Sequence, residues 1–372
     1  MIQLDFLRGV AILLVLGHHP VVMPQSAGVL KLPATIWWRV GWTGVDLFFV
    51  LSGFLIGGLL FKEYQATGVL DVKRFIIRRG LKIWPCYYLL LAANFVARWI
   101  VEKKGLHNAV LETIPGFLHV QNFTHTGSHT WSLAVEEHFY LILPFLLHYL
   151  CKRTNNRGLR DLPIIAIIVM SMCLLYRCVA GIYVGTDGSW VFFPTQARLD
   201  SLFCGVMIAY FYHTRRAVFA NIEKHRGIAI VASLCLIAPF TQFVHTEHVW
   251  ISSVGYCLLY AAYGTIIIAL VTLPEHGDKA HPFTTNIVTR IVAWVGTYSY
   301  NIYLWHMLVQ KFMATLYPHT PISKLHGSIA WAMLLTIYIA VAVTVGATVS
   351  RLVEIPTLRL RERVFPARAT AI

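Results

Sequence analysis

The chain has 372 residues, 57% of them hydrophobic and 13% charged, with a formal net charge of +14. Soluble domains carry roughly 25% charged residues, so this composition excludes a water-soluble globule and points to the membrane. The basic excess sits in loops between apolar runs, a pattern of membrane topology and anionic-lipid contact rather than of nucleic-acid binding.

No Gly/Ser-rich or Pro-rich linker, internal repeat or low-complexity tract divides the sequence. Residues 1–372 therefore read as a single membrane-embedded, all-α domain, a polytopic transmembrane helical bundle. About ten apolar segments are long enough to span, by the criterion of about 20 residues per crossing. They fall near 5–24, 41–62, 82–101, 134–151, 162–184, 198–213, 227–244, 250–273, 289–312 and 328–350. The first contains Arg8 and shows no small-residue cleavage site ahead of a soluble domain, so it reads as a retained span rather than a cleavable leader.

Lysine and arginine set the orientation. Lys62, Lys73, Arg74, Arg78, Arg79 and Lys82 come after the second segment begins its exit, and Lys152, Arg153, Arg157 and Arg160 follow the fourth. Arg215, Arg216, Lys224 and Arg226 follow the sixth; Arg351, Arg359, Arg361, Arg363 and Arg368 follow the tenth. Alternate loops are poorer, with Lys31 and Arg39, then Lys103 and Lys104, then neither residue type from Gly185 to Ala197 or from Gln242 to Trp250. The positive-inside rule puts both termini in the cytoplasm.

Polar groups inside apolar segments are costly and mark function by default. Eleven positions separate Arg8 from His19 in the first segment. That is about three helical turns, so both side chains share a face roughly 16 Å apart, Arg8 nearer the cytoplasm. Arg8 also suits a snorkelling topology anchor and His19 a satisfied core histidine. Pro20 disfavours helical geometry at His19, and His18 lies about 100° round the helix from it. The second segment, GVDLFFVLSGFLIGGLL, places Asp46, Ser52 and Gly53 in apolar surroundings, with Gly53, Gly57 and Gly58 permitting close helix approach.

The stretch HTWSLAVEEHFYLILP offers Ser132, the adjacent carboxylates Glu136 and Glu137, His138 and Tyr140. Glu136 and Tyr140 share one helix face, while Trp131 and Tyr140 also suit an aromatic belt. Arg198 and Asp200 open the sixth segment, SYNIYLWH carries Tyr300 and His306, and SRLVEIP ends the tenth. His125 and His129 in HTGSH lack an evident third ligand, and the seven cysteines form no CxxC, so no metal site is expected. The Asn122-Phe123-Thr124 sequon is too common to carry weight.

Together these segments resemble the acyltransferase-3 family, bacterial integral-membrane O-acyltransferases of cell-surface glycans. Arg8, ten residues, then His19 matches the family's first-helix pattern. GVDLFFVLSGFLI, the basic stretch from Arg78 to Pro85, HTWSLAVEEHFYLILP, ARLDSLFCG, SYNIYLWH and RLVEIP follow in the family's order, from Leu4 to Pro356. Pro20 is a local departure. Some members carry a fused SGNH-hydrolase-like domain, which is not expected here.

The resemblance implies transfer of an acyl group from cytosolic acyl-CoA (acetyl-CoA or succinyl-CoA) to a hydroxyl of a lipid-linked or surface saccharide, in the bacterial cytoplasmic (inner) membrane. Acyl-CoA is a co-substrate, and no tightly bound cofactor is expected. His19 is the expected general base, with Glu136 or Glu137 orienting it or the acceptor. Arg8, Arg78 and Arg79 are the expected donor-binding cations, and Asp46, Ser132, Arg198, Tyr300 and His306 the residues shaping the site. Direct transfer and a transient acyl-histidine both fit these residues. A secondary transporter or flippase is the alternative, because transporters also bury Arg, His and Glu on broken helices. A membrane scaffold would not need such costly groups, and the chain lacks an HxxxxD motif, a GxSxG elbow and a Walker A loop.

Overall fold

In the computed structural model, which describes residues 1–103, 105–124, 129–153, 158–185, 189–243, 248–274, 281–325 and 327–366, each of these apolar segments is helical over most of its described length. The longer helices are α1 (Ile2–His18), α2 (Lys31–Gly41), α3 (Gly44–Thr67), α4 (Val72–Val96), α5 (Leu106–Phe117), α6 (Trp131–Arg153) and α7 (Leu162–Tyr183). They continue as α8 (Leu199–Thr214), α9 (Arg226–Ile237), α10 (Tyr256–Val271), α11 (Ile287–Thr297), α12 (Ser299–Leu316), α13 (Gly327–Val349) and α14 (Ile355–Val364). Among the described residues no strand occurs. Lys104, His125, Arg157 and Arg368 lie outside the described residues.

Local chemistry sets the helix ends. The Asp71 carboxylate accepts from the Arg74 N–H at 3.1 Å to open α4, and Asn286 accepts from Val288 N at 2.8 Å to open α11. Gly68 closes α3 in the left-handed region at φ +70°. Helix α1 stops at His18, so the first apolar segment is not helical to residue 24. Pro20 pushes His19 out of the α region, to φ −115° and ψ 57°.

The expected ninth span, 289–312, is two helices, broken at Tyr298. No proline causes this; tertiary packing does. Gly296 of α11 lies so close to the Asp5 carbonyl of α1 that a Cβ would have no room, and Gly9 meets Val292 in the same way. Beyond the break, Asn301 of α12 is drawn to Ser350 and Glu354 at the end of α13 (2.8 and 2.7 Å). A break at such depth is tolerated where it is covered by protein or lines a cavity.

Glycine contact also joins α3 to α8, where Gly53 abuts the Leu202 carbonyl and Gly205 the Val50 carbonyl. Around these pairs Ile12, Leu16, Phe49, Phe54 and Phe203 are fully buried. Conversely, α7 turns Met172 (65% exposed), Leu175 and Ile182 outward, a greasy face that water would not tolerate and lipid would. Among the described residues, five helices are long and apolar enough to cross a membrane on their own: Gly44–Thr67, Val72–Ile100, Leu159–Tyr183, Ile251–Val271 and Gly327–Val364. The chain is a helical membrane protein.

Candidate active site

Arg8 and His19 do not meet; each lines its own cavity. Arg8 faces a cavity of about 140 Å³ whose wall includes Ser52, Arg79, Lys82, Ser132, Glu136, Tyr140, Tyr300 and Glu354. His19 faces one of about 220 Å³, lined by His18, Trp42, His129, Trp131, Phe192, Phe193 and Met307. Val45 and Tyr303 line both. They are the partition between a cation-rich chamber and one walled by imidazoles and aromatic rings.

The partition is held by a fixed proton order. The Tyr303 hydroxyl donates to the His129 carbonyl at 2.8 Å. Having one proton, it must accept from Ser132 Oγ, which stands 2.6 Å away. The same counting applies in the cationic chamber. Tyr140 donates to Glu136 Oε2 at 2.8 Å, so Ser52, also at 2.8 Å, donates to Tyr140. The Arg79 guanidinium covers the Tyr140 ring at 5.2 Å, and Arg8 is paired with Asp5 at 3.1 Å. Tyr300 donates to the Ile83 carbonyl at 2.7 Å, which ties the broken helix to α4.

Three expected placements change. Glu136 does not orient His19: it lines the other chamber, and the Val15 carbonyl, 3.1 Å from Nδ1, holds the His19 ring instead. Glu137 faces away, accepting from Trp84 Nε1 at 3.2 Å. Arg78 is outside the chamber as well, bound to Glu362 of α14 at 2.9 Å and to the Phe365 carbonyl.

Asp46 and Arg198 form a fully buried ion pair at 2.6 Å, lining neither cavity. Arg198 stacks over Phe49, Trp131, Phe192 and Tyr256, the nearest ring being Tyr256 at 4.0 Å. Trp131 and Phe192 are walls of the His19 chamber, so this pair supports that chamber from behind. Arg177, which sequence reasoning passed over, pairs with Asp200 at 2.7 Å and also lies over the Tyr256 ring, 5.0 Å from its centroid. A lone arginine in an apolar span was signal enough to find it.

His129 was also passed over as a site residue. It belongs to the loop ahead of α6, where burial lowers its pKa to about 4 and keeps it neutral. Its Nε2 lies 3.0 Å from the Leu304 carbonyl. His306 is fully buried behind the chamber wall, its ring 5.2 Å from that of His19 and 5.1 Å from that of His129. Among the described residues no trio of His, Cys, Asp or Glu side chains is placed to hold a metal ion.

Chemically, one chamber presents fixed cations and the other an unprotonated ring nitrogen, since His19 commits Nδ1–H to a carbonyl and leaves Nε2 as a base. A peptidoglycan O-acetyltransferase of Listeria monocytogenes serovar 1/2a (OatA) is 30% identical over 82% of this chain and 48% of its own length. A putative O-acetyltransferase of Staphylococcus aureus strain COL is 28% identical over 84% of this chain and 51% of its own. An O-acetyltransferase (OatA) of S. aureus strain NCTC 8325 is 25% identical over 76% and 48%. The chain thus spans about half the length of the curated relatives it matches. No solved structure matches it. A family model described as an acyltransferase domain matches residues 1–351, nearly the whole sequence, and the chain belongs to that family, acyltransferase-3.

Proposed function

We propose that the chain is an integral-membrane O-acyltransferase that moves an acyl group, acetyl or succinyl, from cytosolic acyl-CoA to a hydroxyl of a cell-surface or lipid-linked saccharide. The observation that carries this reading is the partition: a cation-lined chamber and a histidine-lined chamber separated by Val45 and Tyr303. Arg8, Arg79 and Lys82 suit the donor's phosphates and the thioester oxygen. The aromatic walls of the second chamber suit the apolar faces of a sugar ring, and His19 Nε2 takes the proton of its hydroxyl. The name of the Listeria relative makes a cell-wall glycan the first acceptor to try.

In this reading the chain crosses the bacterial inner membrane about ten times, with both termini cytoplasmic. Helix α1 then runs outward, so the Arg8 chamber opens toward the cytosol, where acyl-CoA is made. Membranes containing the protein are expected to move label from acyl-CoA to glycan. His19→Ala is expected to stop this without loss of expression; retained transfer in that variant would overturn the base assignment.

A further inference from the structure

Helix α2 fixes a second imidazole at the histidine-lined chamber. Trp37 Nε1 of α2 donates to the Leu13 carbonyl of α1 at 3.1 Å, and His18 Nδ1 stands 2.8 Å from the Trp38 carbonyl. Gly41 lies so close to His18 that a Cβ there would have no room. A carbonyl only accepts, so Nδ1 of His18 carries the proton and Nε2 is a lone pair. His19 reaches the same tautomer by another route. Its backbone N–H bonds to the Leu16 carbonyl at 3.3 Å, which frees the Val15 carbonyl for ring Nδ1.

Neither Nε2 is spent or sealed. The hydrogen bonds of both rings run through Nδ1, and neither Nε2 is shut away from solvent as Nε2 of His306 is. Both residues line the chamber of about 220 Å³. It therefore holds two lone pairs on fixed rings, one more than a general base needs. Apart from His129, the rest of the described lining is apolar or aromatic, with no carboxylate, lysine or arginine. Such walls suit a ligand that brings hydrogen-bond donors and no negative charge.

We propose that His18 is a specificity-determining residue: its Nε2 accepts a hydrogen bond from a second hydroxyl of an uncharged acceptor saccharide, while His19 takes the proton of the first. The assignment rests on the base role proposed for His19. The two rings stand 4.9 Å apart between centroids, nearly perpendicular at 80°. A nitrogen sits on the rim of so small a ring, so at any tilt both Nε2 atoms lie within the span of one sugar unit or a neighbouring pair. They need not face each other. Each lone pair serves one hydroxyl, and His18 keeps its single proton throughout. A polyol engages both nitrogens, whereas water or a simple alcohol engages one. Leaving a desolvated acceptor unpaired is costly, which is how such a contact rejects a sugar that lacks the matching hydroxyl.

The test uses membranes bearing the full chain, radiolabelled acetyl-CoA and two uncharged acceptors, octyl glucoside and octyl 2-acetamidoglucoside, with the monodeoxy forms of each. In the wild type, at least one monodeoxy form that still takes label should fall about tenfold in kcat/KM. His18→Phe keeps a flat ring and removes the lone pair. It should lose about tenfold on the parent glycoside but less than about twofold on that deoxy form, with the acetyl-CoA KM unchanged. His18→Gln, whose amide oxygen accepts, should recover part of the loss on the parent alone. Equal losses on parent and deoxy acceptors would mean that His18 only braces α2, and they overturn the proposal. Wild-type rates in His18→Phe overturn it too, as does labelling of endogenous glycan when neither octyl glycoside takes label. If His19→Ala keeps transfer, the base assignment fails whatever the deoxy series shows. If His19→Ala is inactive and the losses are additive, the role of His18 alone fails.

Discussion

Replacing Arg177 by methionine tests how charge is stored in this core. Arg177 and Asp200 have no exposed side-chain surface, and their 2.7 Å bridge sits against Tyr256, whose ring lies 5.0 Å from one guanidinium and 4.0 Å from that of Arg198. Arg177→Met leaves the Asp200 carboxylate buried with the Ser201 N–H, at 3.0 Å, as a remaining donor. Breaking a buried pair from one side costs about 3–5 kcal/mol. The Ala197 carbonyl (2.5 Å) and the Ser253 carbonyl (3.3 Å) also lose the donor that Arg177 supplies. Each such loss adds about 1 kcal/mol. The double variant Arg177→Met/Asp200→Leu removes both charges and leaves only the carbonyl losses, about 1–2 kcal/mol in total. Denaturant unfolding in detergent micelles reads the two single variants, Arg177→Met and Asp200→Leu, and the double, and the double-mutant cycle should give a coupling of at least about 2 kcal/mol. Equal losses in the single and double variants would show that shape, not charge pairing, matters. A single-variant loss below about 1 kcal/mol would mean that the pair is hydrated and the burial argument wrong.

Other outcomes follow from the packing and the two chambers. Gly53→Leu drives a side chain into the Leu202 carbonyl and should cost more than about 3 kcal/mol, seen as loss of folded protein in detergent extracts. Arg8→Ala should raise the acyl-CoA KM about tenfold with kcat nearly unchanged, whereas Arg78→Ala, whose side chain is spent on α14, should change it less than about twofold. Tyr303→Phe keeps the partition's ring, while Tyr303→Ala joins the chambers. Only the latter should raise thiol release from acyl-CoA in the absence of glycan.

Apolar length located the helical stretches, because crossing a bilayer imposes a run that soluble proteins rarely need. The helices α2 and α5, between expected spans, were not legible: their mixed faces look like loop sequence without the neighbours they cover. The break at Tyr298 was invisible for a related reason, since it depends on Asp5, Gly9, Ser350 and Glu354, all remote in sequence. Arg8, His19 and Glu136, which line the two chambers, were singled out by their cost in an apolar segment, and Ser132 and Tyr300 through the family resemblance, yet neither signal says which residues meet. Helical periodicity placed Arg8 and His19 on one face, and Pro20 ended the helix before His19. Tyr303 escaped notice because a tyrosine in a span carries no such cost, although it divides the two chambers.

That dividing wall also has an electrical meaning. If, in the proposed orientation, the Arg8 chamber opens to the cytosol and the His19 chamber to the opposite face, most of the membrane potential would fall across the layer formed by Val45 and Tyr303, which line both. A charge carried through that layer exchanges about 2.3 kcal/mol with each 100 mV of potential. An acetyl group is neutral and crosses without electrical work. A succinyl group carries a carboxylate, and an interior-negative potential would help to drive it outward. Collapsing the potential in sealed vesicles should therefore slow succinyl transfer and leave acetyl transfer unchanged, making the voltage response a reading of the cargo's charge.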